Sequence, residues 1–161
     1  TVRTLKDILT ACGITALSNE YILLERDGGS VVLAGVDDPN GYADQKTPEE
    51  LYREIEKNDP GRFSILLAHR NDAIERYAAA GYDFVMSGHG HGGIIRLPFT
   101  DGLISPLREW FPSWTDGFYT CTEGDCDNAA VFVSRGLGNS PRVPRLFNRP
   151  EVAVVILHTA P

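Results

Sequence analysis

The sequence predicts an α/β fold in which parallel and antiparallel strands are mixed. Two apolar runs, residues 63–68 and 83–86, flank a helical segment, and this strand–helix–strand order is typical of a parallel unit. Hairpin patterns lie on either side of that unit along the chain. With 161 residues, of which 42% are hydrophobic, the chain has enough apolar material for the core of one domain.

The first part of the chain predicts a helix, a hairpin and a second helix, in that order. Residues 4–11 place apolar side chains on one helical face. Residues 21–25 and 31–36 predict two strands joined by an Asp-Gly-Gly turn. Residues 47–58 predict the second helix, because a threonine cap is followed by proline and two acidic residues in the first turn.

The rest of the chain predicts six strands and one further helix. The helix is expected at residues 71–80, between the two buried strands, and residues 98–116 are expected to form a long loop. The two runs that enclose residues 123–128 have the pattern of an antiparallel hairpin. The six strands are expected at residues 63–68, 83–86, 94–97, 117–122, 129–134 and 152–158.

The net charge of the chain is −7 and its isoelectric point is near 5.0. This acidity disfavours non-specific binding to nucleic acid. It does not exclude a phosphorylated substrate, because a bound divalent metal can dominate the local field. No apolar run is long enough to cross a bilayer, and no signal-type segment opens the sequence. Since the first residue is Thr1, we expect the chain to be an excerpt of a longer protein.

Three cysteines occur in the chain. An odd number in a chain of this size is not typical of a disulfide scaffold, so reduced thiols are expected. The alternative is a local disulfide between Cys121 and Cys126, which flank a turn-like insert.

Three of the four histidines follow the two predicted buried strands. His69 ends the first strand, and His89 and His91 follow the second within a glycine-rich loop. Because ligands gather at the carboxyl ends of parallel strands, these imidazoles are expected to converge as metal ligands. For His69 alone, a hydrogen-bonded structural role is the favoured alternative. His158 is expected to be structural or exposed.

Several motifs resemble those of one enzyme family. Residues 87–98, SGHGHGGIIRLP, are similar to the last metal motif of calcineurin-like metallophosphoesterases, and in particular of their bacterial YkuE/YaeI-type branch. In that branch Gly-His-Thr-His-Gly-Gly is followed by a Leu-Pro stretch, so Gly90 stands where threonine is usual. Residues 66–69, LLAH, resemble the preceding motif. Further similarities, which extend the resemblance over nearly the whole chain, lie at residues 35–39, 134–138 and 145–151.

The resemblance implies a β-sandwich flanked by helices, of which residues 1–161 would form the C-terminal portion of a single domain. It also implies two divalent metal ions (Mn, Zn or Fe) in the complete enzyme. His69 and His89 would bind one ion and His91 the other, and a metal-bridging hydroxide would attack phosphorus. Phosphorylated small molecules or lipid-linked compounds are the implied substrates. A cytoplasmic or membrane-associated location in bacteria is implied as well.

The earlier motifs of this family, Asp-x-His, Gly-Asp-x-x-Asp and Gly-Asn-His, are absent from the sequence. The nearest matches, at residues 124–127 and 138–140, lack required residues. No catalytic residue is therefore expected within this chain, and the missing groups are expected before Thr1. We expect the chain alone to hold at most one ion and to have little activity. We also expect self-association, or binding to the missing N-terminal half, to cover exposed strands.

Weaker candidates surround the histidines. Arg135 and Asn139, in a glycine-rich loop, are the candidate substrate-binding residues, whereas surface solvation is favoured for Arg96 and Arg145. The acidic pair at residues 37–38 would either support the site or form a turn. The apolar segment at residues 103–114 would be either a substrate-contacting or membrane-contacting lip or part of the core.

Three functional hypotheses follow from these features. The leading one is metal-dependent hydrolysis of a phosphoester bond. The second is a metal-binding or assembly module of the same fold with no catalytic role. The third is a mononuclear zinc hydrolase that uses His69, His89 and His91 alone, although no carboxylate is placed by the sequence as its general base.

Overall fold

The computed structural model describes residues 2–41, 45–121, 129–139 and 143–158, with only the backbone of residues 2–4. Three α-helices and six strands lie within these described residues. A single 3₁₀ turn, Asn71–Ala73, precedes the third helix. In chain order the elements are α1 (Val2–Ala11), β1 (Glu20–Arg26), β2 (Gly29–Val36), α2 (Pro48–Asn58), β3 (Ser64–Arg70), α3 (Ile74–Ala79), β4 (Phe84–Gly88), β5 (Gly117–Thr120) and β6 (Ala130–Val133).

The six strands form one mixed sheet in the order β1-β2-β3-β4-β6-β5. The central strands β2, β3, β4 and β6 are parallel, while β1 and β5 pair antiparallel with β2 and β6 as the outer strands of two hairpins. Both predicted hairpins and the predicted parallel unit are therefore confirmed, as is the mixed α/β fold class. The second sheet of a sandwich remains a prediction, because the described residues contain this one sheet.

Helices α2 and α3 cover one face of the sheet. Leu51 and Ile55 of α2 and Ile74 of α3 are fully or almost fully buried in a core with residues of the four parallel strands. The predicted cap of α2 is present, because the Thr47 hydroxyl accepts from the Glu50 N–H and the Glu50 carboxylate accepts from the Thr47 N–H. No helix in the described part of the chain has the length and apolarity needed to cross a membrane.

The opposite face of the sheet is only partly covered. Ile65, Phe84 and Phe132 form a buried cluster there, against which Ala153 and Val155 pack. Elsewhere on the sheet large apolar side chains stay open to solvent, including Phe118 at 66% exposure. Helices thus cover one side of the sheet, and the other side is left partly open.

Residues 152–158 do not form the strand that their alternating pattern predicted. The alternation is real, since residues 153 and 155 are half-buried and residues 152, 154 and 156 are exposed. The segment nevertheless lies across the face of the sheet, and within the described residues it has no partner strand. Period-two burial shows that a chain is extended over an apolar surface, and it does not require main-chain pairing.

Residues 94–97 were also predicted as a strand, and only two isolated bridges occur there, Ile95 with Leu146 and Arg96 with Gly102. Ile94 has a φ of +44°, which is outside the extended region and ends regular pairing at that point. The predicted helix at residues 71–80 is shorter than expected, because its first turn is 3₁₀.

The cysteines occupy different environments. Cys12 is an exposed free thiol. Cys121 is buried and disulfide-bonded, so the expectation of a reduced thiol is wrong at this position. Cys126, the partner in the predicted local disulfide, lies outside the described residues.

Candidate metal centre

Two of the candidate ligands lie at the carboxyl ends of neighbouring parallel strands. His69 is near the end of β3, and His89 directly follows β4. The pairing of the two strands shifts in register between Leu67 and Arg70, next to His69. This edge of the sheet is where ligands bind in open α/β sheets.

The side chains of His69 and His89 are in contact. Nε2 of His69 lies 3.0 Å from Nδ1 of His89, and the rings meet edge to face with centroids 4.8 Å apart. Two imidazole nitrogens at this separation can each lie about 2.0–2.1 Å from one common ion, the usual Zn–N distance. The pair therefore fits two ligands of one metal ion, and without an ion one nitrogen must donate a proton to the other.

The surroundings of His89 favour its neutral form. Burial lowers the pKa of its imidazole, and the charges of His69 and Arg70 lower it further. A neutral ring is the form that donates a lone pair to a metal. Its second nitrogen, Nε2, is buried with no hydrogen-bond partner among the described residues.

The loop that bears the histidines has an unusual backbone. His89 and His91 have φ values of +63° and +50°, in the left-handed region that side chains other than glycine rarely adopt. Such conformations cost about 1–3 kcal/mol each and cluster at functional sites. Gly93 and Gly102 pack backbone to backbone, since a Cβ on Gly93 would lie 2.2 Å from the Gly102 Cα. This contact fixes the end of the loop.

His91 is surrounded by main-chain carbonyl groups and one arginine. Its Nδ1 lies 3.1 Å from Nη2 of Arg145. Burial lowers the pKa of His91 and the Arg145 charge adds to this, whereas a hydrogen bond to the Gly138 backbone opposes them.

The three predicted ligands are thus arranged as a contacting pair, His69 and His89, and a separate residue, His91. No group of three His, Cys, Asp or Glu side chains suited to a metal ion occurs among the described residues. His91 is near enough to His69 for the His69 charge to lower its pKa. This arrangement, with two histidines in contact and His91 apart, is the one expected if the histidines bind two different ions.

The candidate substrate-binding residues have contrasting surroundings. Arg135 is half-buried between two carboxylates, with its Nε 3.5 Å from Asp116 and 3.4 Å from Glu151. Asn139 is exposed beside Gly138, where an added Cβ would lie 3.9 Å from Cε1 of His91. Substrate binding by either residue remains a prediction.

Sequence reasoning missed the structural importance of Arg145 and Asn148. The Asn148 side chain is buried, and its Nδ2 donates to the carbonyl oxygens of His91 (2.6 Å) and Ile94 (3.1 Å). Arg145 donates to four carbonyl groups around His91. The signal was the motif at residues 145–151, but nothing local to that motif shows that it packs against the histidine loop.

The acidic pair after β2 forms a turn. Asp37 accepts from the Ser18 hydroxyl (2.5 Å) and from the Asn19 side chain (3.0 Å), so it anchors the segment before β1. Asp38 accepts from the Asn40 N–H, which is the predicted turn, and lies 3.9 Å from Arg70.

Two cavities of about 400 Å³ each open beside the histidine pair. The first lies over the open sheet face next to His69 and is lined mainly by apolar residues such as Leu17 and Leu33. The second borders His89 and is walled by Trp110, Phe111 and Trp114. The apolar segment at residues 103–114 therefore forms a wall of a cavity, and Trp114 also packs against the core.

Comparison with protein-family models finds no match, and no solved structure matches the chain. Curated relatives do match. The "Uncharacterized metallophosphoesterase YkuE" of Bacillus subtilis is 31% identical over 94% of this chain and 49% of its own length. "Phosphodiesterase YaeI" of Escherichia coli is 27% identical over 94% of this chain and 50% of its own length. "UDP-2,3-diacylglucosamine pyrophosphatase LpxG" of Chlamydia muridarum is 29% identical over 71% of this chain and 34% of its own length. The chain spans about half the length of the first curated relatives it matches.

Proposed function

Because the chain belongs to the calcineurin-like metallophosphoesterase family, we propose that it supplies part of a two-metal site that hydrolyses a phosphoester bond. His69 and His89 bind one divalent ion, and His91 binds the other. The observation that carries this proposal is the 3.0 Å approach of His69 Nε2 to His89 Nδ1 at the carboxyl ends of adjacent parallel strands.

The chemistry of such a site comes from the metal ions, which when bound supply a nucleophilic hydroxide and neutralise phosphate oxygens. The residues of this chain hold the metal ions and orient the imidazole rings that bind them. Burial lowers the pKa of His89 and His91 and so favours the neutral form that binds metal. The left-handed backbone at His91 is held by Asn148, and the contact of Gly93 with Gly102 fixes the end of the loop, so this part of the ligand loop is preorganised before metal binds.

Phosphorylated small molecules or lipid-linked compounds are the proposed substrates. The printed names of the relatives support this range, since one is a phosphodiesterase and another a pyrophosphatase of a diacylglucosamine nucleotide. The aromatic cavity beside His89 offers an apolar surface for the part of a substrate beyond its phosphorus. The net charge of −7 argues against nucleic acid.

The remaining metal ligands are proposed to come from the part of these proteins that the chain does not span. Two imidazoles in contact, with a third apart and no bridging carboxylate among the described residues, support one ion at most. The same missing part, or a second copy of the chain, would cover the open sheet face where Phe118 is exposed.

The proposal is tested by assaying hydrolysis of bis(p-nitrophenyl) phosphate with Mn²⁺. The chain is assayed alone and fused to the part of YkuE that it does not match. We expect little turnover from the chain alone and metal-dependent turnover from the fusion. His89→Ala should abolish that turnover, and the matched control His158→Ala, at an exposed histidine, should not.

Two outcomes would contradict the proposal. One is full activity of the chain alone, which would show that one ion and these three histidines suffice. The other is a folded fusion, verified by circular dichroism, that binds Mn²⁺ without turnover. This second outcome is the result that the non-catalytic module predicts.

A further inference from the structure

We propose that Arg145, rather than Arg135, binds the phosphate oxygens of the substrate. The inference rests on the proposed function, which requires an anionic phosphoester at the histidine site. Both arginines lie in the segments that border His91, and the structure distinguishes them by the partners of their guanidinium groups.

Arg96 and Arg135, which also lie near the loop, are paired with carboxylates. Arg96 lies 2.5 Å from Asp116 and 3.7 Å from Asp101. Arg135 lies 3.5 Å from the second oxygen of Asp116 and 3.4 Å from Glu151. Their positive charges are therefore already paired, and a phosphate group would have to compete with these carboxylates for their N–H groups.

Arg145, by contrast, has no carboxylate partner in the described part of the chain. Among the described residues it forms no ion pair with a carboxylate, and its hydrogen bonds go to the main-chain carbonyls of Gly138, Arg135, Gly136 and His91. Carbonyl oxygens are neutral, so they fix the plane of the guanidinium group without cancelling its charge. In a chain with a net charge of −7, a fixed and unneutralised cation is a local attraction for an anion.

The Arg145 guanidinium also has an N–H group without an acceptor among the described residues. A guanidinium group carries five N–H groups. Nε donates to Gly138 and Nη2 serves several acceptors, whereas Nη1 has one contact among the described residues, at 3.4 Å to the His91 carbonyl. Since Nη1 carries two N–H groups, at least one is available to a phosphate oxygen.

The position of Arg145 suits this role. Its Nη2 lies 3.1 Å from Nδ1 of His91, so the guanidinium group borders a proposed metal ligand, and its side chain is partly exposed. An anion held there would be next to the site where the proposed metals act. The planar fork of arginine matches phosphate geometry better than the single ammonium group of lysine.

The test uses inorganic phosphate and the unmodified chain in the presence of a chelator. The arginine Nε–H resonances are followed by ¹H–¹⁵N NMR at constant ionic strength. We expect the Arg145 resonance to shift to saturation while the Arg135 resonance stays in place. Arg145→Gln should weaken phosphate affinity about tenfold, the loss of one charge-assisted hydrogen bond. Arg145→Lys should lie in between, and the matched control Arg135→Gln should stay within about twofold of the unmodified chain.

The inference is overturned if Arg135→Gln weakens phosphate binding as much as Arg145→Gln does, or if Arg145→Gln has no effect. If circular dichroism shows that Arg145→Gln does not fold, the NMR shifts of the unmodified chain and the affinity of Arg145→Lys decide the question. Because the chelator removes metal ions, the result is independent of whether His69 and His89 bind a metal.

Discussion

Replacing Gly93 by alanine probes how the histidine loop is held in place. A Cβ at this position would lie 2.2 Å from Cα and 2.8 Å from the carbonyl carbon of Gly102. Both are backbone atoms, so no side-chain rotation relieves the overlap. Gly93 also has a φ of +73°, where alanine is strained whatever the available space.

The magnitude follows from these two contributions. A left-handed alanine costs about 1–2 kcal/mol, and overpacking of a close contact costs about 1–3 kcal/mol. Gly93→Ala should therefore lower the free energy of unfolding by about 2–5 kcal/mol. Gly61→Ala is the matched control, because Gly61 has a φ of +66° with nothing within 4 Å of its Cβ position. The control should lose only the conformational part, about 1–2 kcal/mol.

Urea unfolding followed by far-UV circular dichroism measures both variants against the unmodified chain. The midpoint should fall further for Gly93→Ala than for Gly61→Ala, while the slope of the transition stays the same. Equal destabilisation of the two variants would show that the loop moves away from Gly102 at no cost. The view of a preorganised ligand loop would then be wrong.

Two further predictions concern the Glu49–Arg76 ion pair and the hydrogen bonds of Asn148. Arg76 donates hydrogen bonds to the Glu49 carboxylate and lowers its pKa from 4.5 to about 2. The ionised carboxylate therefore stabilises the fold above pH 4.5, and this stabilisation is lost as the pH falls from 4.5 toward 2. Glu49→Gln should lower the free energy of unfolding by no more than about 1 kcal/mol at pH 7, because the pair is largely exposed. Measured by urea unfolding, this loss of stability relative to the unmodified chain should shrink as the pH falls from 4.5 toward 2. A loss that does not change with pH would argue against the ion pair. Asn148→Asp should lower the melting temperature more than Asn148→Ala, because a carboxylate cannot donate to the His91 and Ile94 carbonyls and would lie against them. If a thermal scan gave both variants the melting temperature of the unmodified chain, these two hydrogen bonds would not hold the loop.

The sequence predicts those parts of the fold that depend on local pattern. The apolar runs of β3 and β4 with a helix between them predict a parallel pair, and this places His69 and His89 at one edge of the sheet. The threonine cap of α2 is equally local, because its two hydrogen bonds join residues three positions apart.

The two predicted strands that do not form, at residues 94–97 and 152–158, depend on contacts between segments distant in sequence. Alternation at residues 152–158 correctly identifies the inward side chains, but whether a strand pairs depends on a free neighbouring edge. Ile94 is β-branched and favours a strand, yet the contact of Gly93 with Gly102 and the Asn148 hydrogen bonds hold it at positive φ.

In the candidate site, too, the sequence predicts what is local and misses what depends on contacts between distant segments. The histidines follow from residue type and position at strand ends. The ion pairing of the arginines does not, because Arg96, Arg135 and Arg145 look equivalent in sequence. Only the fold shows which of them meet Asp116 and Glu151.

The most direct test of the central claim is X-ray absorption spectroscopy of the chain loaded with one equivalent of Zn²⁺. The contact between His69 and His89 predicts two imidazole nitrogens bound to the zinc. His69→Ala and His89→Ala should each remove one imidazole from the spectrum, and His158→Ala should remove none. A spectrum without imidazole scattering, or one that is unchanged in both site variants, would contradict the assignment of these histidines as a metal-binding pair.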